Sequence, residues 1–349
     1  MASPKTITII GGGLAGLTLG IGLRQRNVPV TIWEAGVYPR HRVCGEFISG
    51  NGQAVLQRLG LVDRCRKAGA IEAATAMFVS GRNRSPVRKL PAPALCLSRY
   101  KLDAVLAERF QELGGELKIK SRWTNDANAE GVVRATGRLA NPGRKPSGWF
   151  GVKAHVSPGA AVHLEADLEM HVSHGGYVGV NRIGDGEVNV CGLLRMPANG
   201  PGRESKTDWL RGEKNSLLNE RLGSVEFEAD SFCSVAGLDL RPRAAAETSD
   251  CCIGDTLTMT PPVTGNGMSM AFESAEIAIE PLGEYCEGRS DWRETQRLIA
   301  QRCDRAFAKR LAWARLLQWM MTSPMRRGPL GVWLLRSEAL WGLLFARTR

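Results

Sequence analysis

Thr6-Ile7-Thr8-Ile9-Ile10-Gly11-Gly12-Gly13-Leu14-Ala15-Gly16, then an apolar run to Leu23 and the segment Val30-Thr31-Ile32-Trp33-Glu34, decides the fold. The first five residues predict a strand, Leu14 to about Arg26 a helix, and Val30–Trp33 a second strand closed by an acid. Gly11, Gly13 and Gly16 satisfy G-x-G-x-x-G in the context that gives the motif meaning, with a strand before it, a helix after it and an acid further on. Gly11 suits the tight turn, Gly13 lets backbone approach a pyrophosphate, and Gly16 lets helix and strand pack closely. The helix N-terminus adds unpaired N–H groups and partial positive charge. Glu34 is placed for ribose hydroxyls, and an acid there argues against a 2′-phosphate. The alternative, a glycine-rich turn without a ligand, fits the spacing and context less well. Nothing in the motif separates FAD from NAD.

At 349 residues, 43% hydrophobic and 23% charged, the chain has the composition of a soluble globular protein with room for two domains. The apolar run within Leu14–Leu23 is explained by the cradle and lacks a cleavage pattern, so no signal peptide is expected. Nine cysteines without C-x-x-C spacing predict neither a disulfide framework nor a zinc site, and a cytoplasmic location is the expectation. His163, His171 and His174 lie in strand-like sequence without acidic or Cys partners at ligand spacing, so no metal is expected.

Downstream, Ala35 to Ser49 is read as a loop and Gln53–Leu61 as a short helix. Met77–Val79 is read as a strand, Arg82–Pro93 as a loop or irregular hairpin, and the stretch after Leu97 as a helix ending at Gly114-Gly115. Gly131–Arg138 predicts a buried strand. Gly148–Val156, Val162–Val172 and Tyr177–Leu194, the last broken at Gly184-Asp185-Gly186, predict an antiparallel sheet inserted into the α/β unit as the roof of a substrate pocket. Cys252-Ile253-Gly254-Asp255 and Pro261–Met268 then return to nucleotide-type sequence before a helix to about Tyr285.

With G-x-G-x-x-G, Arg99 and Gly254-Asp255 in order, the chain resembles the FAD-dependent monooxygenase superfamily, built like p-hydroxybenzoate hydroxylase. Its closer likeness is to the geranylgeranyl-reductase-like branch. The resemblance implies FAD as cofactor. By it, Arg99 looks like the arginine beside the flavin chain, and Asp255 like the aspartate on the ribityl hydroxyls, an ordinary turn residue being the alternative. Gly265, Gly267 and Met268 look like the turn facing the flavin N1/O2 edge, where a helix N-terminus favours negative charge. Arg42 joins this cofactor set. Cys44, in Val43-Cys44-Gly45-Glu46, resembles a residue of the flavin-side loop and is either a proton donor or one of nine ordinary thiols.

Two departures are visible. Ala135-Thr136-Gly137-Arg138 stands where the superfamily often has the Asp-Gly that serves both FAD and transient NADPH binding, which speaks against direct NADPH use; the resemblance implies NAD(P)H or a separate reductase as electron donor. Gly175-Gly176-Tyr177-Val178-Gly179 keeps only the Gly-Gly-Tyr of the prenyl-channel signature.

The resemblance implies an α/β fold. Its Rossmann-type FAD-binding domain is discontinuous (1–70, 99–150, 245–288), with an inserted antiparallel substrate domain (71–98, 151–244) and a helical C-terminal segment (289–349). The implied activity is oxygenation of a lipophilic or aromatic small molecule through a flavin C4a-(hydro)peroxide. The alternative is reduction of C=C bonds in an isoprenoid or polyketide.

Residues 289–349 carry 13 Lys/Arg against four Asp/Glu, most of the chain's net charge of +11. Arg302, Arg305 and Lys309 share one predicted helix face, and Trp313, Leu316, Leu317 and Met320 another, with a break at Ser323-Pro324 and Gly328-Pro329 and a second apolar stretch from Trp333 to Phe345. Basic residues interleaved with Trp, Leu and Met do not form the polar stripe of a nucleic-acid site, so no nucleic-acid partner is expected. The tail is read as closing the channel. Its outer face either caps the core or makes a peripheral contact with an anionic membrane.

Overall fold

The computed structural model describes residues 5–126, 128–138, 148–173, 175–196, 206–241, 243–322 and 337–348. His174, the predicted break at 323–329 and Trp333–Leu335 lie outside them.

The first sheet follows from the opening motif. β1 (Ile7–Ile10) pairs in parallel with β2 (Val30–Trp33), Ile9 opposite Ile32, and α1 (Leu14–Arg24) crosses between them. The helix ends two residues earlier than predicted, and it is buried almost throughout because helices cover it on its outer side. With β7 (Glu116–Lys118), β8 (Val132–Arg134) and β14 (Cys251–Cys252), the order is β14-β8-β1-β2-β7, all parallel.

Between these strands run α2 (Asn51–Arg58), α3 (Val62–Lys67) and α4 (Arg99–Glu112). α4 starts at Ser98, whose hydroxyl accepts from Lys101 N at 3.3 Å, buries Leu102, Leu106 and Phe110, and ends before Gly114. α6 (Gly267–Cys286) packs on α1.

The second sheet contains β3 (Phe47–Ile48), β4 (Ile71–Ser80), β5 (Asn83–Arg84), β6 (Arg88–Cys96), β9 (Trp149–Val156), β10 (Leu168–Ser173), β11 (Gly176–Gly184), β12 (Glu187–Arg195) and β13 (Cys233–Ala236). Its order is β13-β9-β12-β11-β10-β4-β6-β3, with β5 on β4. The sheet is not purely antiparallel, since β4 and β10 pair in parallel.

The irregular hairpin expected at Arg82–Pro93 forms: β5 pairs antiparallel with β4, and β6 begins at Arg88 with Pro91 and Pro93 in a register shift between Ala73 and Thr75, where no ladder hydrogen bond is needed. Two local readings are corrected. Val162–Asp167 is not strand. Asp167 accepts from the N–H groups of Ala74 and Thr75, and Glu169 from those of Glu165 and Ala166, so side chains replace the ladder until Leu168. α3, after Gly60, is an additional helix.

A second small cluster sits outside the large sheet, where α5 (Leu217–Leu222) adds Leu218 and Leu222 to Val152, Ala154 and Val190. α7 (Trp292–Thr322) buries Ile299, Cys303, Phe307, Leu311 and Ala314, a face other than the predicted Trp313/Leu316 one, because α6 and the Ala245–Glu247 turn cover it. Arg302 pairs with Glu280 of α6 at 2.6 Å. α8 (Glu338–Thr348) packs on α7. No described helix is long and apolar enough to cross a membrane.

Candidate cofactor and substrate site

The glycine turn is held by its neighbours. Gly11 has φ +107° and donates to Trp33 O at 2.8 Å, and a Cβ on it would stand 2.4 Å from Ala135 O. A Cβ on Gly16 would stand 2.0 Å from Gly11 O, so strand and helix meet as the motif requires. Gly13 differs: no described atom lies within 4 Å of where its Cβ would be.

Glu34 is buried at the end of β2. Its Oε2 accepts from Gly12 N at 2.9 Å, its Oε1 from Gly36 N at 2.7 Å, and Arg40 pairs with it at 2.8 Å. Burial alone would raise its pKa, but these three donors hold the carboxyl below its ordinary value. The Tyr38 hydroxyl donates to Gly12 O.

Arg42 is largely buried, and its Nε has no hydrogen-bond partner among the described residues. Burial, with the charges of Arg40 and Arg99 adding, lowers its pKa. A buried guanidinium nitrogen without a partner, among the charges of Arg40, Arg99 and Glu34, suits an anionic group such as a diphosphate.

Arg99 opens α4 as predicted, but it is not free. Its Nε and Nη2 hold the fully buried Asp103 at 2.6 and 2.8 Å. Sequence reading passed over Asp103, although i,i+4 spacing on a helix was the available signal.

Asp255 lies in a tight turn (Gly254–Thr256), facing Arg138 and Arg99, and burial raises its pKa. The neighbouring Thr256 hydroxyl bridges Gly137, accepting from its N–H at 2.9 Å and donating to its carbonyl at 3.0 Å. Gly265 has φ +64°, and its Cβ position is 2.2 Å from Phe47 Cζ. Gly267 opens α6 with no described atom near its Cβ position. The Met268 side chain is buried in the core, which leaves only its backbone at the turn.

Cys44 sits against Arg99 and its Sγ accepts from Glu46 N at 3.4 Å. Burial pushes the thiol up, so it is held protonated.

A buried charge cluster beside this loop was missed from sequence. Glu46, Lys153 and His155 are all essentially inaccessible. Glu46 accepts from Arg99 N at 2.8 Å, and its carboxylate lies 3.2 Å from Lys153 Nζ and 2.7 Å from His155 Nε2. Lys153 Nζ also donates to His41 Nδ1 at 3.0 Å. The signal was the alternation of β9, whose apolar Val152 and Ala154 face one side and Lys153 and His155 the other.

Next to the Pro261–Met268 turn is a cavity of about 120 Å³ whose walls include Phe47, Met170, Val263, Leu317, Trp341 and Phe345. The helical tail therefore contributes to the walls from both α7 and α8.

A family profile described as "FAD binding domain" matches residues 5–155. Monooxygenase 1 of Arabidopsis thaliana is 30% identical over 104 residues, and 3-amino-4-hydroxybenzoate 2-monooxygenase PtnB3 of Streptomyces platensis is 30% identical over 107. These alignments take in 29% and 30% of this chain and about a quarter (26%) of each relative. Among solved structures, Pseudomonas aeruginosa PqsL in complex with 2-aminobenzoylacetate superposes with TM-score 0.73 at 15% identity, covering 94% of this chain and 100% of the other. The flavin-dependent brominase Bmp2 superposes with TM-score 0.72 at 17% identity, covering 99% and 95%. The matched stretch, residues 5–155, is an FAD-binding domain. The fold is shared over nearly the whole chain with PqsL and the brominase Bmp2.

Proposed function

We propose that the protein is an FAD-dependent monooxygenase acting on a lipophilic or aromatic small molecule. The observation that carries this reading is a shared wall. Val263 and Thr264 line the apolar cavity, Gly265 of the same turn packs against Phe47, which is also a wall of the cavity, and Gly267 leaves the backbone at the start of α6 uncovered. When bound and reduced, FAD supplies oxygen activation, and the protein supplies position, dryness and electrostatics. In this reading Gly13 and Arg42 hold the pyrophosphate and Glu34 the ribose. Asp255 holds the ribityl hydroxyls, and the α6 N-terminus supports negative charge at the flavin's pyrimidine edge. Arg99 acts through Asp103 and Glu46 to fix the loop at Cys44. The electron donor is NAD(P)H or a separate reductase.

The test is to load the protein with FAD, reduce it, and screen aromatic and isoprenoid compounds under ¹⁸O₂. Label in the product supports oxygenation. Peroxide as the sole oxygen product with every compound, together with C=C reduction in the absence of air, rejects it in favour of the reductase.

Leu316, Trp319 and Leu343 are 43%, 54% and 45% exposed on the basic tail and support a peripheral membrane contact. Anionic vesicles should co-sediment the protein with a salt-sensitive affinity. No sedimentation at low salt would leave the tail with its core-capping role alone.

A further inference from the structure

Glu46 of the buried charge cluster serves the loop at Cys44, but the far side of the His155 ring, at Nδ1, has no part in the flavin reading. His155 lies on β9 opposite Asn189 of β12, which brings Glu187, two residues earlier, onto the same face. On the other side the chain 226–231 is stapled to β9. Glu228 N donates to His155 O at 3.0 Å, His155 N donates to Ser231 Oγ at 2.7 Å, and Val156 bridges Phe227. Two carboxylates from separate segments thus converge on one imidazole.

That imidazole is 1% exposed, and its Nδ1 has no hydrogen-bond partner among the described residues. One donor atom each from His155, Glu187 and Glu228 fall within 4.8 Å of one another. His155 Nδ1 is 3.6 Å from Glu187 Oε2, too long for a hydrogen bond. Two ligands of a tetrahedral Zn²⁺, each at about 2.0–2.1 Å, stand about 3.3–3.4 Å apart, so the gap suits a shared cation.

We propose that His155 Nδ1, Glu187 and Glu228 bind a divalent cation of the zinc type, water completing the coordination. Glu46 at Nε2 takes the role of the carboxylate that orients a metal-bound histidine, fixing the tautomer with its lone pair on Nδ1. Lys153 does not oppose this, because its charge is engaged on Oε1 of Glu46, away from Nδ1. The cation joins β9, β12 and the 226–231 segment, and through Glu46 steadies the start of α4. Its role is structural. Sequence spacing gave no warning, because the three ligands come from strands and loops far apart in the chain.

The test uses the full FAD-loaded chain, stripped with chelator and dialysed, then titrated with ZnCl₂ and MnCl₂ against a chromogenic competitor. One Zn²⁺ per chain with a raised melting temperature is expected. Glu187→Gln and Glu228→Gln should each weaken Zn²⁺ binding at least about tenfold while remaining folded and yellow. Absence of stoichiometric binding, or binding that both variants retain in full, overturns the site. Because FAD content is measured separately, failure here is distinguishable from failure of the flavin reading.

Discussion

Glu34 Oε2 accepts the N–H of Gly12 at 2.9 Å while its other oxygen accepts that of Gly36 at 2.7 Å, so one carboxylate ties β2 to the glycine turn. Glu34→Ala removes the acceptor of both and orphans Arg40. An unsatisfied buried donor costs about 1–3 kcal/mol, and the variant should lose at least that in urea unfolding as well as FAD affinity. The pH sign follows from the lowered folded pKa. The contribution is fully present above the usual 4.5 and is lost as pH falls through the folded value. Glu34→Gln should flatten that acid limb, and an unchanged acid profile would remove the carboxylate from this role.

Gly11 and Gly13 should separate folding from binding. Gly11→Ala meets Ala135 O at 2.4 Å at φ +107° and should destabilise even the flavin-free protein, by about 1–3 kcal/mol of backbone strain before the clash is counted. Gly13→Ala has ordinary extended backbone and open space around it, so flavin-free stability should stay within about 1 kcal/mol while FAD binding collapses. Calorimetry with and without FAD checks both. Full flavination of Gly13→Ala would place the pyrophosphate elsewhere.

How much was legible depends on the range of the interaction. The cradle, α4 and α6 were readable because strand, turn and cap signals act over a few residues, as the Ser98 cap of α4 does. The apolar face of α7 was misread because Trp and Leu occur all round it, and only packing against α6 selects Ile299, Cys303 and Phe307. Glu46 was invisible as a site residue: its φ of +57° and its partners Lys153 and His155, over a hundred residues away, are tertiary facts.

Glu46→Ala should be among the most destabilising single changes. It leaves Lys153 and His155 buried without their carboxylate and removes the acceptor of Arg99 N at the start of α4. Breaking a buried ion pair by deleting one partner costs about 3–5 kcal/mol. Equilibrium urea unfolding should show that loss, and a cost below about 1 kcal/mol would mean the cluster is hydrated rather than dry.

The tail's closing role rests on Trp341 and Phe345 in the cavity wall, on Trp341 lying edge-on to Phe78 at 5.6 Å, and on Thr348 O accepting from Asn266 Nδ2 beside the glycine turn. Burial of a large apolar side chain contributes about 1.5–3 kcal/mol, so a ligand that loses one such wall should bind at least about tenfold more weakly. Trp341→Ala should therefore raise the KM for the best aromatic substrate and admit bulkier ones, with FAD content unchanged. Truncation after Thr322 should go further, leaving the protein yellow because no cradle residue lies beyond Met268, while oxygen uptake becomes uncoupled from product as water enters. Unchanged KM and coupling in both variants would show that the cavity is not where the substrate sits.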